Sequence, residues 1–210
     1  MNSFAFSTGK AFLVMARSKD FDENEVLVKA VKLFWLKGYA GTSMQEMVDY
    51  LGISRSSLYD TYVDKHTLYL KALEFYQKDS FRQINDIVAK TPSAKDTIKH
   101  LLEFIANALM SDKQHKGCFM LNAEVEVAPQ DAEVMEMVCD NDRQIEDAFH
   151  QTILKGQKSG EIKNKQDAKV LTRFFVNTIK GIRVSAKSTN DSVFFSDIIQ
   201  TSLSVLDHQR

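Results

Sequence analysis

Residues 42–62, with the sequence TSMQEMVDYLGISRSSLYDTY, decide the fold of this chain. Ser43 followed three places later by Glu46 forms a capping-box pattern, which predicts the start of a short helix. Gly52 is suited to end that helix, and after the Gly-Ile-Ser turn Ser54 can cap a second one. Two short helices joined by a tight glycine turn are typical of a helix-turn-helix.

The apolar and polar positions of this stretch separate into an inner and an outer set. Ile53 and Leu58 are predicted to pack between the two helices, against Leu51. The outward-facing side chains are then Arg55, Ser56, Ser57 and Tyr59. Side chains in this position of a second helix can reach the major groove of DNA. Helical hairpins are common in bundle cores, so the pattern by itself leaves DNA binding and simple packing both open.

Hydrophobic periodicity predicts helices on both sides of this stretch. A first helix opens at Asp22 and ends at Gly38, and a fourth starts near Lys65 and runs to the break at residues 91–93. Further helices are predicted over residues 94–110, 118–128, 129–158, 167–187 and 191–207. There is no sustained period-two alternation and no repeat, so the predicted fold class is all-α.

Composition excludes several classes of protein. The chain has 210 residues, a formal net charge of −1 and 44% hydrophobic residues, values that fit a globular protein with a real core. Its apolar runs are far below the roughly 18 residues that span a bilayer, so no membrane partner is predicted. Two cysteines without a CxxC pair favour a reducing cytoplasm. The histidines show no metal-ligand spacing and no catalytic motif occurs, so neither metal nor cofactor is predicted.

A longer motif around the helix-turn-helix resembles the TetR family of bacterial transcriptional regulators. It reads Ala30-x-x-Leu33-Phe34-x-x-x-Gly38-Tyr39-x-Gly41-Thr42-Ser43-x-x-x-Met47, then Leu51-Gly52-Ile53-Ser54-x-x-x-Leu58-Tyr59-x-x-Tyr62-x-Asp64-Lys65. The resemblance covers about residues 22–70, and the rest of the chain is similar only in the number and length of its helices.

The resemblance implies a function as well as a fold. It implies a three-helix DNA-binding domain at residues 15–66 and a helical ligand-binding and dimerisation domain at 67–210. Such a homodimer would bind a palindromic operator, most often as a repressor, and leave it when a small-molecule effector tilts the fourth helix. Because Met15 looks like a natural start, residues 1–14 are predicted to be a disordered extension.

Site residues follow from the same resemblance. Arg55 is the candidate for reading a base, because arginine can bridge guanine O6 and N7. Phosphate contacts are expected from Thr42 and Ser43 at a helix N-terminus, from Tyr59 and from Lys65. The complete predicted DNA-binding set is Thr42, Ser43, Gln45, Ser54, Arg55, Ser56, Ser57, Tyr59 and Lys65.

The charge of this region departs from expectation. The predicted DNA-binding domain carries about as many acidic as basic side chains, where a basic footprint is usual. Asp60 falls where members of the family often have a neutral or basic residue. Both features predict a modest salt dependence of DNA binding.

Two further sets of residues are predicted on the second domain. Aromatic and methionine side chains there can line an effector pocket, and Trp35 is predicted to pack rather than to meet the effector. The candidate pocket residues are Phe75, Phe104, Phe119, Met120, Met135, Phe149 and Phe174. Apolar stripes on the last two helices predict a four-helix dimer interface. Its candidate residues are Phe174, Phe175, Thr178, Ile182, Phe194, Ile198 and Val205.

Alternatives to this interpretation remain open on the sequence. Cys118 follows Lys116 and Gly117 at a predicted helix N-terminus, a setting that favours a reactive thiol and so a redox or electrophile sensor. Glu124 and Glu126 interrupt an apolar helix and can either meet an effector or face solvent. In another class, the chain would be an all-helical enzyme, or an adaptor dimer that does not bind DNA.

Overall fold

The computed structural model describes residues 21–208, and all regular structure in that range is helical. Its α-helices are α1 (Glu23–Lys37), α2 (Met44–Leu51), α3 (Arg55–Tyr62), α4 (Lys65–Lys90), α5 (Ala94–Met110), α6 (Phe119–Glu126), α7 (Ala132–Ser159), α8 (Ala168–Ser185) and α9 (Ser192–Ser204). Short 3-10 helices cover Ala128–Gln130 and Val205–Asp207. The predicted all-α class is confirmed, and the predicted extension at residues 1–14 lies outside the described range.

Short polar side chains set where the helices begin. Asp22 accepts a hydrogen bond from the N–H of Asn24 at 2.7 Å and so caps α1. Asp64 accepts from the N–H of Thr67 at 2.7 Å and caps α4. Each cap satisfies a backbone donor that the first helical turn cannot. The same kind of cap begins three later helices: α7 is capped by Asp131, α8 by Asp167 and α9 by Asp191.

Two hydrophobic cores hold the helices together. The first, which we call the N-terminal core, joins α1, α2, α3 and the first half of α4 to α6 and the start of α7, with Phe34, Leu58, Phe119 and Val134 fully or almost fully buried. The second joins the end of α4 to α5, α8, α9 and the rest of α7.

The N-terminal core crosses the domain boundary that the sequence suggested at residue 66. Phe119 on α6 packs edge-on against Tyr69 and Tyr76 on α4, with ring centroids 5.7 Å apart in both pairs. The helix-turn-helix therefore shares its packing with α6, and a displacement of α6 changes the surroundings of α1 directly. Along this part of the chain, no helix is both long and apolar enough to cross a bilayer.

Candidate DNA-binding and effector sites

The helix-turn-helix has the geometry that its sequence predicts. Gly52 adopts a left-handed conformation with φ of 71°, which a side chain would disfavour, and its N–H donates to the carbonyl of Val48 at 3.1 Å. The next residue, Ile53, is buried against Leu51 and Leu58. This packing fixes the angle between α2 and α3 and leaves one face of α3 in solvent.

The exposed end of α3 presents a serine cluster and an arginine. The Ser54 hydroxyl accepts from the N–H of Ser57 at 3.1 Å and shares hydrogen bonds with the hydroxyls of Ser56 and Ser57 at 2.9 and 2.8 Å. Arg55 and Tyr59 are exposed on the same short helix. We call this candidate site the reading surface of α3, and its residues are Arg55, Ser56, Ser57 and Tyr59.

Thr42 does not fit the phosphate-binding role predicted for it. Its side chain is buried, and its hydroxyl donates to the carbonyl of Gly38 at 2.7 Å. Its N–H donates to the carbonyl of Tyr39 at 3.3 Å. Both polar groups of Thr42 are engaged in closing the turn after α1, so neither is available to a phosphate.

The N-terminus of α2 is already occupied by a carboxylate. Glu46 accepts from the N–H and the hydroxyl of Ser43, each at 2.9 Å, and pairs with Lys37. The hydrogen bond from Lys37 and those from Ser43 lower the pKa of Glu46 to about 2. A phosphate approaching Ser43 therefore meets a negative charge and would have to displace it. The neighbouring Gln45 is exposed and donates to Asp49 at 2.9 Å.

Lys65 is held at the start of α4 by an aromatic ring. Its ammonium lies 4.4 Å from the ring centroid of Tyr39, a cation–π distance. Burial lowers the pKa of Lys65, while Glu126 and Glu46 act in the opposite direction. The contact restricts the side chain while part of it stays accessible.

A link between α6 and the turn after α1 was missed on the sequence. The carboxylate of Glu126 accepts the N–H groups of Tyr39 at 3.1 Å and Ala40 at 2.8 Å. Glu124, the other acidic residue of α6, pairs with Lys180 at 2.6 Å. Neither carboxylate faces the effector cavity described below. The sequence showed two acidic residues in an apolar helix, but it did not indicate which groups they would contact.

A cavity of about 380 Å³ lies between the DNA-binding helices and the second domain. We call this candidate site the effector cavity, and it is lined by α1, α4 and α5 with contributions from the α5–α6 loop and α8. Its apolar and weakly polar lining includes Val28, Val31, Trp35, Phe75, Tyr76, Ile84, Phe104, Ile105, Ala108, Leu109 and Cys118. Its charged lining residues are Lys32, Asp79, Asp112 and Arg183. The volume falls within the range of small-molecule sites.

Two of the seven predicted pocket residues, Phe75 and Phe104, line this cavity. Phe119 and Met120 are buried in the N-terminal core instead, and Phe149 is buried in the second core. Met135 and Phe174 are exposed on the outside of their helices. Aromatic content alone did not separate core positions from cavity positions.

Trp35 packs against the N-terminal core as predicted, and it also lines the cavity, which was not predicted. Its indole N–H donates to the carbonyl of Gly117 at 3.1 Å, and its ring meets that of Tyr76 edge-on at 5.1 Å. The sequence could have indicated this side of the cavity. Its residues follow the i, i+3, i+4, i+7 spacing of one helix face, namely Val28, Val31, Lys32 and Trp35.

Cys118 lies at the cavity wall and caps α6 without a side-chain hydrogen bond to it. The thiol is buried, and the hydroxyl of Tyr76 donates to its sulfur at 3.8 Å. Burial is the main cause that raises the pKa of Tyr76 well above its ordinary range, and the neighbouring Cys118 thiol adds to it. The positive charge of Arg183 lowers the pKa of Tyr76. The phenol is thus a hydrogen-bond donor at neutral pH.

An exposed groove runs between α8 and α9, where the dimer interface was predicted. Phe174 and Phe194 are 42% and 39% exposed there, beside Thr178 and Ile198. Ile182 contributes to the groove wall but is itself buried. Phe175 and Val205 do not fit the prediction. Phe175 is buried and stacks on Phe149 at 6.0 Å, and Val205 lies in the 3-10 helix beyond the groove.

Comparison with known proteins agrees with this architecture at both ends of the chain. Residues 26–72 match the model of bacterial regulatory proteins of the tetR family, and residues 94–201 match the tetracyclin repressor-like C-terminal domain. An uncharacterized HTH-type transcriptional regulator of Bacillus subtilis, YezE, is 34% identical over 92% of this chain and 100% of its own length. The chain belongs to the TetR family. The family resemblance inferred from the helix-turn-helix motif is thereby confirmed.

Other TetR-family proteins extend the comparison. The Escherichia coli transcriptional repressor ComR is 27% identical over 81% of this chain and 82% of its own length. The solved structure of a cysteine mutant of the TetR-family regulator CifR, in complex with a 26-base-pair operator DNA, superposes with a TM-score of 0.80. It covers 90% of this chain and 98% of the CifR chain at 24% identity, and so supports the shared fold.

Membership of the TetR family decides between a DNA-binding regulator and the enzyme or adaptor left open by the sequence. The chain is a DNA-binding transcriptional regulator, and the enzyme and adaptor interpretations are set aside. Among residues 21–208, no three side chains of the His, Cys, Asp and Glu types are grouped so as to hold a metal ion.

Proposed function

We propose that this TetR-family regulator is a homodimeric repressor that leaves a palindromic operator when a small molecule enters the effector cavity. The observation that carries the proposal is the position of that cavity. Trp35 on α1 forms one wall, and Phe75 on α4 and Phe104 on α5 form others. A bound effector would therefore touch a helix of the DNA-binding unit directly, without an intervening layer of side chains.

The roles on DNA follow from the reading surface of α3. Arg55 is exposed and is assigned to a base edge in the major groove. Tyr59 and Lys65 are assigned to phosphates on either side of it, and Ser56 and Ser57 to adaptable contacts. Two such surfaces, related by a two-fold axis, would require half-sites about 34 Å apart or a multiple of that distance.

Dimer formation is assigned to the groove between α8 and α9. Exposed aromatic side chains at Phe174 and Phe194 are costly to leave in water, and a second copy related by a two-fold axis would cover both. The same helices also carry Arg183 of the effector cavity, so an effector would contact the interface-forming layer as well as α1.

Release requires the effector to bind the DNA-incompetent state more tightly than the DNA-competent state. A hundredfold loss of operator affinity needs about 2.7 kcal/mol of this difference. An effector bound between α1 and α4 would change the distance between these helices, and α4 begins at Lys65, which is assigned to a phosphate. This supports a mechanism in which effector binding alters the spacing of the two reading surfaces.

A cavity-filling variant tests the proposal. Ala108 is exposed at the cavity lining, so Ala108→Phe should block the cavity without disturbing a core. The matched control is Ala89→Phe, at an exposed position of α4 outside the cavity lining. With a reporter under a selected operator, compounds that derepress the parent and Ala89→Phe should fail on Ala108→Phe. Equal induction of all three proteins would contradict the assignment of the cavity.

A further inference from the structure

The acidic side chains at the effector cavity already have cationic partners. Asp79 pairs with Arg82 and accepts from the Gln83 amide at 2.8 Å. Asp112 pairs with the Lys116 ammonium at 2.5 Å and also accepts the N–H of Lys116 at 2.7 Å. The positive charge of each partner offsets the carboxylate, so the acidic residues give the cavity little net negative charge.

The basic side chains at the same cavity have no such partners. Within residues 21–208, neither Arg183 on α8 nor Lys32 on α1 forms an ion pair or a side-chain hydrogen bond. Arg183 is partly buried, whereas Lys32 is exposed at the α1 side of the cavity. An unpaired guanidinium beside an apolar cavity favours a ligand that brings a negative charge, because its desolvation is then compensated.

A phenol donor lines the same cavity as Arg183. The positive charge of the Arg183 guanidinium opposes the rise in the pKa of the Tyr76 phenol. Among the described residues, the Tyr76 hydroxyl donates to the sulfur of Cys118 at 3.8 Å, and a thiol is a weak acceptor. A carboxylate oxygen is a much better acceptor and would take over this hydrogen bond.

We propose that the effector is an amphipathic organic anion, whose carboxylate binds Arg183 and the Tyr76 hydroxyl and whose apolar body lies along Trp35, Phe75 and Phe104. The inference rests on the proposed function, because it assigns chemistry to the cavity that function requires. A planar guanidinium can hold a carboxylate through two parallel hydrogen bonds, with Tyr76 adding a third. Lys32 then provides a second positive charge at the α1 side of the cavity.

The sequence provides a built-in probe, because Trp35 is the single tryptophan of the chain and lines the cavity. Its fluorescence would report occupation of the cavity during titrations of the full-length protein with octanoate, octan-1-ol and octylammonium. These three probes share an apolar chain and differ in the charge of the head. We expect octanoate to bind at least tenfold more tightly than octan-1-ol, and octylammonium to bind most weakly.

Variants on α8 identify the charge responsible. Arg183→Gln should reduce the preference for octanoate over octan-1-ol about tenfold or more, while leaving octan-1-ol affinity nearly unchanged. The matched control is Arg173→Gln, at an exposed position of α8 that does not line the cavity, and it should retain the preference. The comparison of the three probes on the unaltered protein stands even if Arg183→Gln fails to fold.

Different unfavourable results of this experiment would contradict different parts of the proposal. Binding of octan-1-ol or octylammonium as tight as that of octanoate would overturn the anionic effector and leave the cavity's role intact. An unchanged octanoate preference in folded Arg183→Gln would overturn the role of Arg183. If none of the probes altered the Trp35 fluorescence of a protein that still bound its operator, the amphipathic anionic effector would be overturned, while the role of the cavity is tested separately by Ala108→Phe.

Discussion

At the scale of single residues, Arg55 is the side chain that we assign to recognition of a DNA base. It is exposed at the first position of α3, and the adjacent Ser56 and Ser57 hydroxyls are held by Ser54. Lys65 has a different position, since its ammonium rests over the Tyr39 ring at the start of α4. A base contact and a phosphate contact predict different outcomes when each side chain is removed.

Arg55→Ala should relax the preference at one base pair of each half-site by about 1–3 kcal/mol. Lys65→Ala should instead weaken binding to all duplexes to a similar extent and reduce the salt dependence. Titration of operator duplexes with single-base changes, at two salt concentrations, measures both effects. Lys71→Ala, at an exposed position of α4, is the control for loss of a positive charge. Unchanged base preference in Arg55→Ala would contradict its assigned role.

Glu46 gives a prediction for stability against pH. The Lys37 and Ser43 hydrogen bonds lower its pKa from 4.5 to about 2, so its ionised form is favoured in the folded chain. Its contribution to stability is then complete above about pH 4.5 and is lost as the pH falls toward about 2. The difference in free energy of unfolding between the parent and Glu46→Gln should shrink over that interval in urea titrations. Glu136→Gln, which removes an exposed carboxylate on α7, is the control. A difference that stayed constant down to about pH 2 would contradict the account of Glu46.

At the scale of elements, α6 is tied to the DNA-binding unit by both packing and hydrogen bonds. Glu126 at the end of α6 accepts the Tyr39 and Ala40 N–H groups, and Phe119 at its start lies in the N-terminal core. A movement of α6 would therefore displace the turn between α1 and α2. This link supports a second route by which an effector could change DNA binding, in addition to its direct contact with α1.

Glu126→Gln should loosen that turn, because an amide presents an N–H₂ group to one of the two backbone donors. We expect faster amide hydrogen exchange at Tyr39 and Ala40, and a loss of about 1 kcal/mol of stability, since the bonds are exposed to solvent. Glu124→Gln is the control, because its carboxylate contacts Lys180 instead. Unaltered exchange at both amides in Glu126→Gln would show that the carboxylate does not hold the turn.

The accuracy of the predictions made from the sequence differs from one structural element to another. The helix-turn-helix was predictable because its caps, its glycine turn and its apolar face are all local in the chain. The burial of Thr42 was not predictable, since it depends on the Gly38 carbonyl at the end of α1. Phe174 and Phe175 are adjacent, and their opposite environments are decided by how α8 packs against α7. The cavity likewise arises between helices that are far apart in sequence.

At the scale of the whole molecule, recognition of a palindromic operator requires two copies of the chain. A single chain presents one α3 reading surface, whereas a palindromic operator has two half-sites. The groove between α8 and α9, with its exposed phenylalanines, is the surface we assign to the contact between copies.

Phe194→Glu should convert the dimer to a monomer, because a buried unpaired carboxylate at an interface is costly. Val193→Glu is the matched control, since Val193 is exposed on the same helix outside the groove. Sedimentation velocity distinguishes the two species, and circular dichroism checks that both variants stay helical. A helical Phe194→Glu protein that remained dimeric would place the interface elsewhere.

Selection of bound sequences from random duplex DNA with the purified full-length protein tests most directly whether two α3 reading surfaces recognise a two-fold operator. We expect enrichment of a palindrome whose two half-sites lie about one helical turn, or a multiple of it, apart. Repeating the selection with Arg55→Ala should lose preference at one symmetric pair of positions. A dimeric, folded protein that enriched no sequence, or only a single unrepeated half-site, would contradict a two-fold DNA-reading regulator.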